Sequence, residues 1–131
     1  MTTATTPITG VDFVCVPTRD HDRAAEFYSD TLGLERLKRW GDKPATEFQV
    51  GNLTLAVMDP SAFGQPEAHP NSAPIALQVE DVEAARDALQ AKGVTFLVEM
   101  MDSGVCHQAI FTDPDGNPLI LHHRYAPEPS A

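Results

Sequence analysis

The chain repeats one pattern twice, and this repeat limits what it can fold into more than any other feature. In the first copy, Ile8 to Val16 is rich in β-branched and aromatic residues and reads as a strand. Asp20 follows at a helix N-cap position, where a carboxylate accepts from free amide N–H groups. Ala24, Phe27, Tyr28 and Leu32 come at helical spacing, as packing residues, and Gly33 stands where a helix stops. In the second copy Pro74 opens the strand Ile75 to Val79, Asp81 is the N-cap, Val82, Ala85 and Leu89 form the buried stripe, and Gly93 is the stop. Asp20 to Asp81 is an offset of 61 residues. Each helix precedes three strand-like segments, at 34–40, 45–50 and 52–58 and again at 94–100, 105–112 and 118–123. Gly51-Asn52 in one copy and Asp113-Pro114-Asp115-Gly116-Asn117 in the other supply turn chemistry. Gly51 to Gly116 is an offset of 65, so the copies differ by small insertions.

The unit is therefore βαβββ. Its period is too long for a solenoid repeat, and two copies are too few for an array. One copy alone is too small for a good core, so the two are expected to pack or swap into one structure. The expected class is α+β: two βαβββ modules forming a curved, cup-shaped mixed sheet with the helices outside. The modules are read at 8–58 and 74–123, joined by a Pro-rich linker at 59–73, with tails at 1–7 and 124–131.

Composition narrows the partners. The 131 residues carry 9 Lys+Arg against 19 Asp+Glu, a formal charge of −10. That excess argues against nucleic acid, whose affinity comes from Lys and Arg on phosphates, and against an anionic membrane surface. No apolar run reaches the length of a membrane span, and Met1 to Thr6 has neither the basic residue nor the apolar stretch of a signal peptide. Two cysteines, Cys15 and Cys106, make no disulfide framework, so a reduced, cytoplasmic protein is expected.

Ile8-Thr9-Gly10 through Asp20, then Phe27-Tyr28 and Thr31-Leu32-Gly33-Leu34, resemble the opening of a vicinal oxygen chelate protein. Phe111-Thr112-Asp113-Pro114-Asp115-Gly116-Asn117-Pro118-Leu119 resembles its closing hairpin. The superfamily includes glyoxalase I, extradiol dioxygenases, fosfomycin-resistance transferases and bleomycin-resistance proteins. The resemblance covers residues 8–123 and is specific for the fold, whereas chemistry varies freely on this scaffold. It implies a cup with metal ligands, in the metal-dependent members, on the first and last strands of each module. Carried onto this chain by counting from Asp20, Asp81, Gly51 and Gly116, those positions hold Phe13, Pro74, Leu55 and Ile120. None offers the His nitrogen or carboxylate oxygen that a divalent ion needs, so no metal and no other cofactor is expected.

Strand alternation extends the expected cup lining. It runs from Phe13 to Cys15, from Leu55 to Val57, from Pro74 to Ala76 and Gln78, and from Ile120 to His122. With Phe111, Leu119 and Leu121 turned to the helices, Ile110, Gln108 and Cys106 face the cup. Such a lining, mostly apolar with a few polar groups, suits a small molecule. Trp40 either walls the cup or covers the core at a dimer seam. His122 is the one candidate for a catalytic acid–base group, against a strand-end histidine bonded to backbone or solvent. His21, His69 and His123 are read as solvated or surface residues, His107 as outward, and Glu47 and Glu99 as solvated edge carboxylates. Cys15 and Cys106 lack a neighbouring Lys or Arg in their strands, which favours lining residues over nucleophiles.

Three functions remain open at this point. The first is a metal-free binding protein, similar to bleomycin-resistance proteins, that sequesters a drug or metabolite in a cup shared by a homodimer. The second is an enzyme of the same superfamily: a lyase, an isomerase or a ring-cleaving dioxygenase, metal-free through His122 or with metal on unconventional ligands such as His122 with Glu47 or His107. The third is an accessory dimer with a vestigial cup. Whether the modules pair within one chain or swap between two is likewise open.

Overall fold

A computed structural model describes residues 6–127. Residues 1–5 and 128–131 of the two expected tails lie outside them. Two mixed four-stranded sheets are formed, each with one helix. The first contains β1 (Val14–Pro17), β2 (Glu35–Arg39), β3 (Ala45–Val50) and β4 (Leu53–Met58), with α1 (His21–Glu26) after β1. The second contains β5 (Ile75–Gln78), β6 (Phe96–Asp102), β7 (Cys106–Thr112) and β8 (Pro118–Arg124), with α2 (Val82–Ala91) after β5. Strand order is β1-β4-β3-β2 in one and β5-β8-β7-β6 in the other. The first strand of each sheet runs parallel to the last, because a helical crossover separates them, and the hairpins are antiparallel.

Local chemistry accounts for the helices. Asp20 accepts from Arg23 N and Asp81 from Ala84 N, each carboxylate satisfying an amide that the first turn leaves free. α1 is short because its next turn, Phe27–Thr31, widens to π-type geometry. Gly33 and Gly93 then take φ of 72° and 93°, a region that costs a Cβ-bearing residue a clash. β1 starts at Val14, later than the expected Ile8; residues 8–13 pair with no strand among the described residues, and Ile8 and Val11 are strongly exposed.

One core joins the halves. Val16, Tyr28, Phe48, Leu55 and Val57 from the first repeat cluster with Val82, Phe111, Leu119 and Leu121 from the second. The helix-bearing faces of both sheets thus meet, and the other face of each, here termed the open face, points away from that core. Polar bonds lock the same junction. Tyr28 Oη donates to Asp113 Oδ2 at 2.7 Å, Asn117 Nδ2 to Pro17 O at 2.9 Å, and Lys92 Nζ to Asp30 O at 3.1 Å. Tyr28 is therefore more than the packing residue its spacing suggests.

Two expected cup residues are corrected here. Leu55 and Val57 are 1% and 0% exposed and sit in the core against the helices. The two turns differ in length. Gly51-Asn52 closes a hairpin in which Val50 opposes Leu53, whereas 113–117 places Thr112 opposite Pro118. Counting residues from each glycine therefore reaches opposite faces, because a slip of one residue inverts a strand's side chains.

Candidate functional site

The open face of the first sheet is built from Cys15, Ala56 and Glu47, which are neighbours in strand register across β1, β4 and β3. Trp40, just beyond β2, folds over this face. Its ring meets Phe13 edge-on at 5.2 Å and Phe63 at 5.8 Å, and its Nε1 donates to Glu47 Oε2 at 2.5 Å. The bond orients the indole and holds the half-buried carboxylate beneath an aromatic wall. Glu47 is thus not a solvated edge residue, because the pleat turns it inward on β3. Phe63 comes from a short helical turn, Pro60–Phe63, capped by Asp59. Residues 59–73 have the composition of a linker, so only the tertiary structure shows that Phe63 joins Trp40. Cys15 is exposed, and partial desolvation raises its thiol above the ordinary value, making it a poor nucleophile at neutral pH.

The open face of the second sheet is more polar. His122 pairs in register with Gln78 on β5 and Gln108 on β7, and Ile120 pairs with Ala76 and Ile110. Gln78, Cys106 and His122 line one cleft of about 570 Å³ together with Arg124. Pro74, Ala76 and Gln78 are exposed at its margin. His107 lies on the other face of β7, pairing with Asp102 at 3.3 Å and stacking on Tyr125 at 4.8 Å. Tyr125 also donates to Asp102, and this bond, Gly104 N and His107 hold that carboxyl below the ordinary range. His69 is exposed. His21, expected to be solvated, is buried, with Nε2 2.8 Å from Thr46 Oγ1. A histidine at the first helical position faces the sheet here because α1 packs against β4, which lets His21 reach Thr46 on β3.

The sequence matches the family model described as Glyoxalase/Bleomycin resistance protein/Dioxygenase superfamily over residues 10–121. The chain belongs to this superfamily. Its vicinal oxygen chelate fold is shared with TnmS3, an antibiotic binding protein from Streptomyces sp. CB03234, at 26% identity, a TM-score of 0.74, and coverage of 91% of this chain and 98% of that one. A superfamily member from Sphaerobacter thermophilus is similar at 26% identity, a TM-score of 0.73, and coverage of 88% and 97%. Lactoylglutathione lyase from Agrobacterium tumefaciens, at 19% identity and a TM-score of 0.71, covers 89% and 95% and shares the fold.

Ala56 pairs with Cys15 as Ile120 pairs with Ala76, so the counterpart of Ile120 in the first repeat, the position the resemblance implies, is Ala56 rather than Leu55. Phe13, Pro74, Ala56 and Ile120 carry no donor atom in their side chains. Among the described residues no three His, Cys, Asp or Glu side chains gather as a metal set. The four positions that the resemblance implies thus lack the side-chain chemistry to hold a divalent ion.

Proposed function

We propose that this chain is a small-molecule-binding protein of the glyoxalase and bleomycin-resistance type, working without metal to sequester a drug or metabolite. The carrying observation is the wall of Phe13, Trp40 and Phe63 over Glu47. Aromatic rings supply contact area at low entropic cost, and one oriented carboxylate supplies direction. The description of TnmS3 as antibiotic binding supports the same reading. The lining in this reading is Phe13, Cys15, Trp40, Gln78, Cys106, Gln108, Ile110, Ile120 and His122.

A second copy of the chain completes the cup. Among the described residues β1 and β5 each have one partner strand and one free edge, and the open faces point away from the shared core. Free edges and exposed Ile8, Val11 and Phe13 call for cover. Glu47 on one open face and Arg124 on the other carry opposite charges, so the first sheet of one copy suits the second sheet of another. The acid excess supports a partner that is not nucleic acid, the two free cysteines support a reducing, cytoplasmic setting, and among the described residues no helix is long and apolar enough to cross a membrane.

His122 favours a second reading, metal-free acid–base catalysis in a lyase or isomerase. Its imidazole has no hydrogen-bond partner among the described residues, which leaves it available to a substrate.

Thermal-shift screening of aromatic drugs and metabolites, with Trp40 fluorescence as a second readout, tests the binding reading. A specific ligand raises Tm and changes Trp40 emission in wild type, and fails to raise Tm in Trp40→Ala. A stoichiometric divalent ion surviving dialysis overturns the metal-free reading. Turnover that His122→Ala abolishes while binding persists favours the enzyme.

A further inference from the structure

The repeat provides an internal control for every position, and one region departs from it in a concerted way. At the 61-residue offset, His21 corresponds to Val82 and Ala25 to Arg86. Thr46 opposes Val57 as Ala109 opposes Leu121, so Thr46 corresponds to Ala109. The second repeat thus has an apolar helix and sheet pair, Val82 and Ala109, both in the core. The first has His21 bonded to Thr46 at 2.8 Å.

The third departure opens space beside that pair. In the second repeat Arg86 reaches from α2 to β6 and donates to Glu99 O at 2.9 Å, and Gln90 Nε2 donates to Glu99 Oε1 at 2.9 Å. These bonds close the seam between the helix and the edge strand. In the first repeat Ala25 replaces Arg86, and among the described residues no hydrogen bond or ion pair links α1 to β2. A groove of about 390 Å³ remains, with His21, Ala25 and Thr46 at its base.

The groove has walls of opposite sign. Asp22, Glu26 and Asp30 line it from the α1 side, and Arg36 and Arg39 from β2. Two residues three apart on a regular strand face opposite ways. A register irregularity between Arg36 and Arg39 instead sets them opposite Phe48 and Thr46, both on the helix-bearing face. Both cations are held: Arg36 lies 5.8 Å over the Phe48 ring, and Arg39 Nε donates to Lys43 O at 2.8 Å. Among the described residues no ion pair crosses from one wall to the other.

We propose that this groove is a second binding site, separate from the open faces, for a small zwitterion: a free α-amino acid. Its carboxylate meets the guanidinium groups of Arg36 and Arg39, whose planar donors match two carboxylate oxygens. Its ammonium faces the carboxylates of Asp22, Glu26 and Asp30. A plain anion would face the acidic wall and a plain cation the basic one, so a ligand bearing both charges satisfies the groove best. The volume lies at the small end of ligand pockets, which suits a small molecule.

Titration by NMR and calorimetry with the proteinogenic amino acids at millimolar concentration, with each ligand's N-acetyl and amide forms, tests the assignment. Saturable binding of at least one free amino acid, shifting the His21 imidazole resonances, is expected. Capping either charged end should weaken it roughly tenfold or more. Ala25→Arg, which copies the second repeat, should abolish binding. The exposed Arg39→Gln should weaken it without affecting folding. Binding should persist in Trp40→Ala. Failure of every free amino acid to saturate overturns the proposal, as does equal binding of the capped forms. Binding that survives Ala25→Arg and Arg39→Gln but disappears in Trp40→Ala overturns it too, because the ligand then occupies the open face.

Discussion

Tyr28 and Asp113 stand 85 residues apart in the chain, yet the Tyr28 hydroxyl donates to the Asp113 carboxylate at 2.7 Å with both groups buried. The bond ties the helix of the first repeat to the last hairpin of the second. Tyr28→Phe removes the donor and leaves a buried carboxylate short of one partner, although Asn117 Nδ2 and the amides of Asp115 and Asn117 remain. A loss of about 1–3 kcal/mol is expected, measured as a lower urea midpoint at unchanged m-value.

The same pair predicts an alkaline limit. Burial, with Asp113 and its hydrogen bond, raises the Tyr28 phenol well above its ordinary value of 10.0. Above that pH the unfolded state loses a proton that the native state keeps. The contribution is complete below 10.0 and declines as pH rises further. Wild type should lose up to about 1.4 kcal/mol per pH unit more than Tyr28→Phe in this range, read from urea unfolding of both proteins.

Asn117 illustrates how the two turns diverge. Its side chain donates to Pro17 O and Asp113 Oδ2 and accepts from Asn71 N, and it is 1% exposed. Its counterpart Asn52 is exposed. Asn117→Ala should cost about 2–4 kcal/mol, and Asn52→Ala within about 0.5 kcal/mol of zero. Equal midpoints for the two variants would contradict this assignment.

His21 bonds Thr46 through Nε2 at 2.8 Å and Asp22 through Nδ1 at 3.0 Å. His21→Val leaves a buried hydroxyl without its partner and should cost about 1–3 kcal/mol. Adding Thr46→Ala recreates the Val82 and Ala109 pair of the second repeat, so the double variant should recover most of that loss. A double-mutant cycle by chemical denaturation measures the coupling.

Sharing of the cup between copies is tested by complementation. Trp40→Ala damages only the first open face and His122→Ala only the second. If a cup joins the first sheet of one copy to the second sheet of another, mixing and refolding the two variants creates some intact sites. Ligand binding should reappear in the mixture, whereas a cup within one chain gives none.

Much of the architecture was legible in local sequence. Asp20 and Asp81 mark the helix starts, Gly33 and Gly93 their ends, and the turns at Gly51 and Gly116 set the hairpins, because capping and left-handed geometry depend on single residues. Alternation in the second repeat put Gln78, Gln108, Ile120 and His122 on one face. It misassigned Leu55 and Val57 because facing depends on turn length, which composition does not encode.

The sequence by itself determined the repeat, the family resemblance and the absence of donor side chains at Phe13, Pro74 and Ile120. Only the tertiary structure decided which faces meet, and hence that Trp40 bonds Glu47, that Tyr28 reaches Asp113, and that a groove opens where Ala25 replaces Arg86. The physical reason is separation along the chain. Caps, turns and alternation act over a few residues, whereas these contacts exist only once two sheets have packed through one core.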